Sequence, residues 1–213
     1  FPGLTVSRTG TIDLYATADN LTKRTYIEFY VGLLHLVVLS PPANVLVNEP
    51  FHATVYVEEP DGTAEWNYSG TVTLSLGANP GGGVLGGTTT VHVVNGGASF
   101  SGLTIDRPGV GYTLVATSAS LAPVTSTPVN VSFQMRIVTQ PPTTVNLGDD
   151  FEIVATVKDG LGHVVTSFNG PVTVATVSGD PLSGTTTVDA VDGVVTFSGL
   201  SLGAIGREVL TLS

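Results

Sequence analysis

A chain of 213 residues, 42% hydrophobic and only 11% charged, has room for one large domain or two of about 100 residues each. Its net charge of −10, with seven Lys and Arg in all and no cluster among them, excludes nucleic acid as a partner, because phosphate binding needs several cations placed together. The absence of Cys excludes a disulfide framework and thiolate metal ligation, and no apolar run reaches the roughly 18 residues of a membrane-spanning helix.

In chain order, the first element is a phrase that returns. Residues 1–17 read FPGLTVSRTGTIDLYAT, residues 100–117 read FSGLTIDRPGVGYTLVAT, and residues 197–213 read FSGLSLGAIGREVLTLS. The leading phenylalanines Phe1, Phe100 and Phe197 stand 99 and 97 residues apart. Other phrases keep that register. Ser40, Pro41 and Pro42 return as Gln140, Pro141 and Pro142, the strand starting at Phe51 returns at Phe151, and Gly87-Thr88-Thr89-Thr90-Val91 returns as Gly184-Thr185-Thr186-Thr187-Val188. A period this long signals tandem domains rather than a solenoid of small units. It predicts the C-terminal part of one repeat over 1–34, a complete repeat over 35–133, and a repeat lacking its last strand over 134–213. The N-terminal FPGLTVSRTG has no basic segment followed by an apolar one, so any targeting signal is expected to have been removed or to lie outside this segment.

Within the complete repeat, Phe51, Ala53, Val55 and Val57 alternate with His52, Thr54, Tyr56 and Glu58, the period of a half-buried antiparallel strand. Trp66 and Tyr68, two apart, are expected on one face of a strand, with Tyr68 in the core because Phe168 answers it in the next copy. Residues 71–76 alternate again. The run Pro80 to Gly87 lacks the Lys-Ser/Thr of a phosphate cradle and reads as a hinge-like surface loop. Asp61-Gly62, Asn95-Gly96-Gly97 and Asp192-Gly193 are tight-turn sequences. Tyr112, Leu114 and Ala116 form an inward set, matched by Ile12, Leu14 and Ala16 and by Leu210 and Leu212. Seven or eight short strands in about 98 residues predict an all-β chain of antiparallel β-sandwiches.

The Pro-Pro entry, the strand from Phe51, the phrase Phe100-Ser101-Gly102-Leu103 and the strand Gly111-Tyr112-Thr113-Leu114 resemble the bacterial Ig-like tandem repeats of large cell-surface and secreted proteins. The resemblance covers essentially the whole chain and implies a scaffold at the cell surface or outside the cell. Tyr112 resembles the tyrosine corner of Ig folds, with Ile12 and Leu210 taken to stand in the corresponding places.

Chemistry is sparse. His35, His52, His92 and His163 share no metal-ligand spacing, and no nucleophile-elbow or P-loop pattern occurs, so the chain is not read as an enzyme and no cofactor is expected. Asp149 and Asp150 are the weak candidates for a Ca²⁺ site of the kind Ig-like arrays place at domain junctions; one pair supplies too few of the six to eight oxygens Ca²⁺ takes. Residues 35–133 contain no Lys, which excludes a Lys–Asn isopeptide link there. Asn20, Asn67 and Asn130 head N-x-S/T sequons, and Trp66, the single tryptophan, is the candidate contact for a glycan.

These features predict a structural, non-catalytic segment of an extracellular fibre, stalk or surface layer, whose partners are copies of itself or other surface proteins. The short links Val31 to Leu36 and Phe133 to Met135 predict little freedom between repeats. The incomplete end repeats fit a segment of a longer array, flanking residues absent from the sequence, or completion by a strand of a neighbouring chain, which would build a polymer. The alternative is an adhesin or carbohydrate-binding module.

Overall fold

A computed structural model describes residues 10–16, 25–31, 33–119 and 121–213. Every regular element among them is a β-strand. The chain divides into two compact units, Phe1–Ala43 with Pro50–Asn130, and Asn44–Glu49 with Val131–Ser213. In chain order the strands are β1 (Gly10–Ala16), β2 (Thr25–Val31), β3 (His35–Leu39), β4 (Asn44–Leu46), β5 (Phe51–Glu58), β6 (Thr71–Leu76), β7 (Leu85–Gly86), β8 (Thr90–His92), β9 (Gly97–Ile105), β10 (Gly109–Tyr112), β11 (Leu114–Ser118), β12 (Leu121–Thr125) and β13 (Val129–Ser132). They continue with β14 (Gln134–Thr139), β15 (Phe151–Lys158), β16 (Pro171–Thr176), β17 (Leu182–Ser183), β18 (Thr187–Asp189), β19 (Val194–Leu202) and β20 (Leu210–Leu212).

Strands β1 and β2 form a two-stranded antiparallel ladder, running from Gly10 opposite Val31 to Ala16 opposite Thr25. The next strands make sheets of order β3-β5-β9-β7 and β12-β11-β6-β8, with a three-stranded sheet β10-β13-β4. Taking β10 with β11 as one interrupted strand, and β12 with β13 as the next, gives the A-B-E-D and C-F-G sheets of an Ig-like sandwich. The second unit repeats the order as β14-β15-β19-β17 and β18-β16-β20. The chain is therefore all-β, a tandem of Ig-like antiparallel sandwiches.

Alternation places the core where the sequence put it. Phe51, Ala53, Val55 and Val57 are buried along β5, Val72 and Leu74 along β6, and Tyr112, Leu114 and Ala116 are fully buried. In the second unit Phe151, Ile153, Ala155, Val172, Val174, Val195, Phe197 and Leu200 pack as one cluster. Apolar surface removed from both inner faces is what holds the sheets together.

The repeated phrase Phe-Ser-Gly-Leu has a specific structural meaning. Phe100 and Leu103 are three residues apart, which in a regular strand would put them on opposite faces. Both are buried, because the β5–β9 ladder slips there: Phe51 pairs with Leu103 but Ala53 with Phe100. Gly102, at φ +67, supplies the extra residue of this β-bulge. The second unit repeats the device with Gly199 at φ +65, with Phe151 opposite Leu200 and Ile153 opposite Phe197. The other repeated phrase lies against this bulge. A Cβ on Gly87 would come within 2.2 Å of the Gly102 carbonyl oxygen, and one on Gly184 within 2.4 Å of that of Gly199.

Three expectations need correction. Trp66 is not on a strand: it lies in the turn closed by the Tyr68 N–H on the Glu65 carbonyl, so it does not share a strand face with Tyr68. The Pro80 to Gly87 run is no hinge. A Cβ on Gly81 would sit 2.1 Å from the Pro108 carbonyl oxygen and 2.3 Å from the Tyr112 hydroxyl, so the loop is glycine-rich because it packs on Tyr112. Leu210 does not occupy the place of Tyr112. It pairs with Thr176, as Leu114 pairs with Leu76, and the Val177 N–H reaches Val209 as the Gly77 N–H reaches Thr113. Counting back, Glu208 stands where Tyr112 does. The Tyr112 hydroxyl itself donates to the Arg107 carbonyl at 3.0 Å, a tyrosine corner.

Gly102→Ala has open space around its new Cβ but keeps the left-handed backbone, and is expected to cost about 1–2 kcal/mol. Gly87→Ala adds a collision with backbone to the same kind of strain, and should cost at least about 1 kcal/mol more. Urea unfolding of both variants checks this order.

Candidate functional site

In the sheet of order β10-β13-β4 the middle strand pairs with both of its neighbours. Asn130 donates its N–H to the Ala43 carbonyl, and its side-chain Oδ1 accepts the Gly111 N–H. The Val47 N–H reaches Ser132, so the partners 43 with 130 and 47 with 132 advance together, a parallel pairing. Val129 is fully buried and Val131 nearly so.

The corresponding region of the second unit is a cleft of about 530 Å³. One wall is Thr143–Leu147, the counterpart of the β4 region; the other is Ile205–Val209, the counterpart of β10. Neither wall is a strand. Ile137, Phe151, Ile153, Leu202 and Leu210 line the interior. Leu202 and Leu210 are only half-buried, whereas their counterparts Ile105 and Leu114 are fully buried. Val145 is half-buried where Val45 is buried. Ile205, at 92% exposure, and Leu147, at 58%, form apolar rims. Arg207, which lines the cleft, stands at the position of Gly111 by the register given above. Glu208 accepts a 2.6 Å hydrogen bond from the Ser178 hydroxyl.

The candidate residues from sequence fall elsewhere or take other parts. Asp149 lies in a turn, its carboxylate accepting the Asn146 amide at 2.7 Å, and Asp150 is exposed beside it. Among the described residues no group of three or more His, Asp or Glu gathers as a metal site. Asn67 is exposed on the Trp66 turn, its N–H on the Glu65 carboxylate. The Asn130 side chain is half-buried and engaged with Gly111, so a glycan there would compete with strand closure. Asn20 lies outside the described residues. Trp66 is 67% exposed. Tyr68 is half-buried, its hydroxyl 2.7 Å from that of Ser118, and the ring of its counterpart Phe168 meets Phe133 edge-on at 5.7 Å. No helix among the described residues is long and apolar enough to cross a membrane.

Sequence reasoning missed Asp159. This buried carboxylate directly follows β15 and closes the next turn, accepting the N–H groups of Leu161 and His163 at 3.0 and 2.9 Å. Its second oxygen accepts the Asn48 amide at 3.2 Å, and Gly160 donates its N–H to the Val47 carbonyl. Asn48 adopts φ +61 to reach it. Burial pushes the Asp159 pKa up, but the bonds from Asn48, His163 and Leu161, with the His163 ring beside it, outweigh burial and hold it below the ordinary carboxylate value. The dipeptide Asp159-Gly160 looks like any exposed turn in sequence. Only the long-range contact from Asn48 distinguishes it.

No family model matches the chain, and no curated protein matches it. Among solved structures it is similar to the Escherichia coli adhesin FdeC at 16% identity and TM-score 0.40, over 92% of this chain and 66% of that one. It is similar to domains 4–9 of the surface-layer protein SbsC at 16% identity and TM-score 0.39, over 96% and 33%. It also resembles a C-terminal fragment of intimin, solved with the intimin-binding domain of its translocated receptor, at 18% identity and TM-score 0.39, over 85% and 59%. The chain thus spans between a third and about two thirds of those chains. Strand order and register carry the Ig-like assignment.

Because the folded pKa of Asp159 is depressed, its stabilisation is fully present above the unfolded value near 4 and is lost as pH falls through the folded value. Asp159→Asn is therefore expected to destabilise the second unit by about 1–2 kcal/mol at pH 7. The gap from the parent should narrow below about pH 4, measured by urea unfolding across pH.

Proposed function

We propose that the chain is a structural, non-catalytic segment of an extracellular fibre, stalk or surface layer, in which neighbouring chains complete one another by strand addition. In this reading residues 1–34 are the C-terminal part of an Ig-like repeat, 35–133 a complete one, and 134–213 one lacking its last strand. The observation that supports it best is the tandem of sandwiches itself, in which strand order and the Phe-Ser-Gly-Leu bulge recur from one unit to the next. Strand addition to an open sheet supplies main-chain hydrogen bonds along an extended edge, with pockets that take alternate side chains. An acidic chain with a net charge of −10 would stay soluble while doing so.

The second reading is an adhesin or carbohydrate-binding module, favoured by the exposed indole of Trp66 on its turn. Light scattering and electron microscopy at rising concentration separate the two. Linear, concentration-dependent polymers that show no binding on a glycan array are expected for the structural reading. A chain that stays monomeric at every concentration, and binds a glycan that Trp66→Ala no longer holds, would establish the second instead.

A further inference from the structure

We propose that Asn67 is an acceptor for an N-linked glycan, presented by the segment between β5 and β6, and that the second described sequon, at Asn130, is silenced by its sheet. The inference stands on the geometry of the first unit and does not depend on how neighbouring chains join.

An N-x-S/T sequence accepts a glycan only where the Asn amide and the hydroxyl two residues on can both be reached from solvent. Asn67-Tyr68-Ser69 meets that demand. Asn67 and Ser69 are exposed, and residues 66–70 belong to no strand. The Tyr68 N–H closes the turn on the Glu65 carbonyl at 3.3 Å, and the Glu65 carboxylate accepts the Asn67 N–H at 2.9 Å. These bonds engage the backbone of Asn67 and not its amide. Tyr68 between the two exposed residues is the anchor, half-buried with its hydroxyl 2.7 Å from that of Ser118.

Asn130 presents the opposite case. It lies in β13, donates its N–H to the Ala43 carbonyl, and its Oδ1 accepts the Gly111 N–H at 3.1 Å. Val129 before it is fully buried. An enzyme could reach this amide only by drawing the strand out of its sheet, which gives up both hydrogen bonds and exposes the valine. The second unit has no such acceptor at the matching turn: Ser167 stands in the place of Asn67, and Asn169 is followed by Gly170 and Pro171.

The transfer forms a bond between Asn67 Nδ2 and the anomeric carbon of a lipid-linked sugar. The lipid pyrophosphate leaves with the electron pair of its bond to that carbon, and one amide proton passes to solvent. The glycan then stands beside Trp66, the chain's single tryptophan and 67% exposed. An indole face takes the C–H face of a sugar, so the attached glycan covers apolar surface that the turn otherwise leaves open.

The test is transfer in solution by a purified oligosaccharyltransferase that requires only N-x-S/T, with a lipid-linked oligosaccharide as donor. Its acceptors are the folded 213-residue chain and peptides of residues 63–70 and 126–133. Both peptides are expected to be modified, whereas peptide mass mapping of the folded chain should find the glycan at Asn67 and none at Asn130. Ser69→Ala, an exposed change, should abolish modification at Asn67 with the Tm of the parent retained, and the equally exposed Ser132→Ala should leave it in full. Acrylamide quenching of Trp66 fluorescence should fall in the glycoform; unchanged quenching overturns the covering of Trp66. A folded chain that stays unmodified at Asn67 overturns the proposal, as does one modified equally at Asn130. Refusal of the 126–133 peptide assigns the silence of Asn130 to its sequence and overturns the part given to the sheet.

Discussion

Each sandwich depends on a one-residue irregularity in one strand, β9 in the first and β19 in the second. Period-2 alternation cannot place both Phe100 and Leu103 in the core, yet both are there, because Gly102 takes a left-handed conformation and the ladder to β5 slips by one residue. The bulge brings the Gly102 carbonyl outward to where Gly87 passes, and Gly87 has no Cβ to collide with it. The Phe-Ser-Gly-Leu and Gly-Thr-Thr-Thr-Val phrases are therefore two halves of one contact, remade by Gly184 against Gly199. Repetition of both phrases together follows from geometry, since a change in either one strands the other. Bulging also raises local twist, which lets two sheets close over a shared core.

The same logic of partnered edges accounts for the contrast between the units. An Ig-like sandwich is finished when its last strand lies between the F strand and the switched second half of the A strand. Val129 and Val131 each bury side chains worth about 1.5–3 kcal/mol, and the backbone beside them is satisfied: the Asn130 N–H donates to the Ala43 carbonyl and the Ser132 carbonyl accepts the Val47 N–H. In the second unit the counterpart segments Thr143–Leu147 and Ile205–Val209 are not strands.

Much of this was legible in the sequence, and the exceptions are instructive. The buried set along β5 follows directly from alternation, and the turn at Asn95-Gly96-Gly97 from residue types that tolerate positive φ, which Asn95 and Gly96 adopt. The long period was visible because the bulge forces the same phrase to recur. What failed was register after a loop of changed length. The apolar pattern matches Leu210 to Tyr112, but the ladder to β16 fixes it two positions later, at Leu114. Period-2 patterns cannot detect a shift of two, since the same face stays inward. Trp66 escapes the pattern for another reason: aromatic residues favour strands, and only the turn bond from Tyr68 to Glu65 shows otherwise.

The glycine-rich loop and the tyrosine corner show how one substitution propagates. Tyr112 sends its hydroxyl to the Arg107 carbonyl, and that places an aromatic ring beneath the loop from Pro80 to Gly87. Gly81 and Gly109 must then lack side chains, since a Cβ at either would fall within 3 Å of the ring or hydroxyl. Where Glu208 replaces the tyrosine, no ring has to be accommodated, and the corresponding loop is the shorter Gly179-Asp180-Pro181-Leu182-Ser183-Gly184. Its one retained close glycine is Gly184, which serves the bulge rather than the ring. The longer loop thus goes with the tyrosine and the shorter one with Glu208, while both units keep the glycine at the bulge, where backbone and not side chain stands in the way of a Cβ.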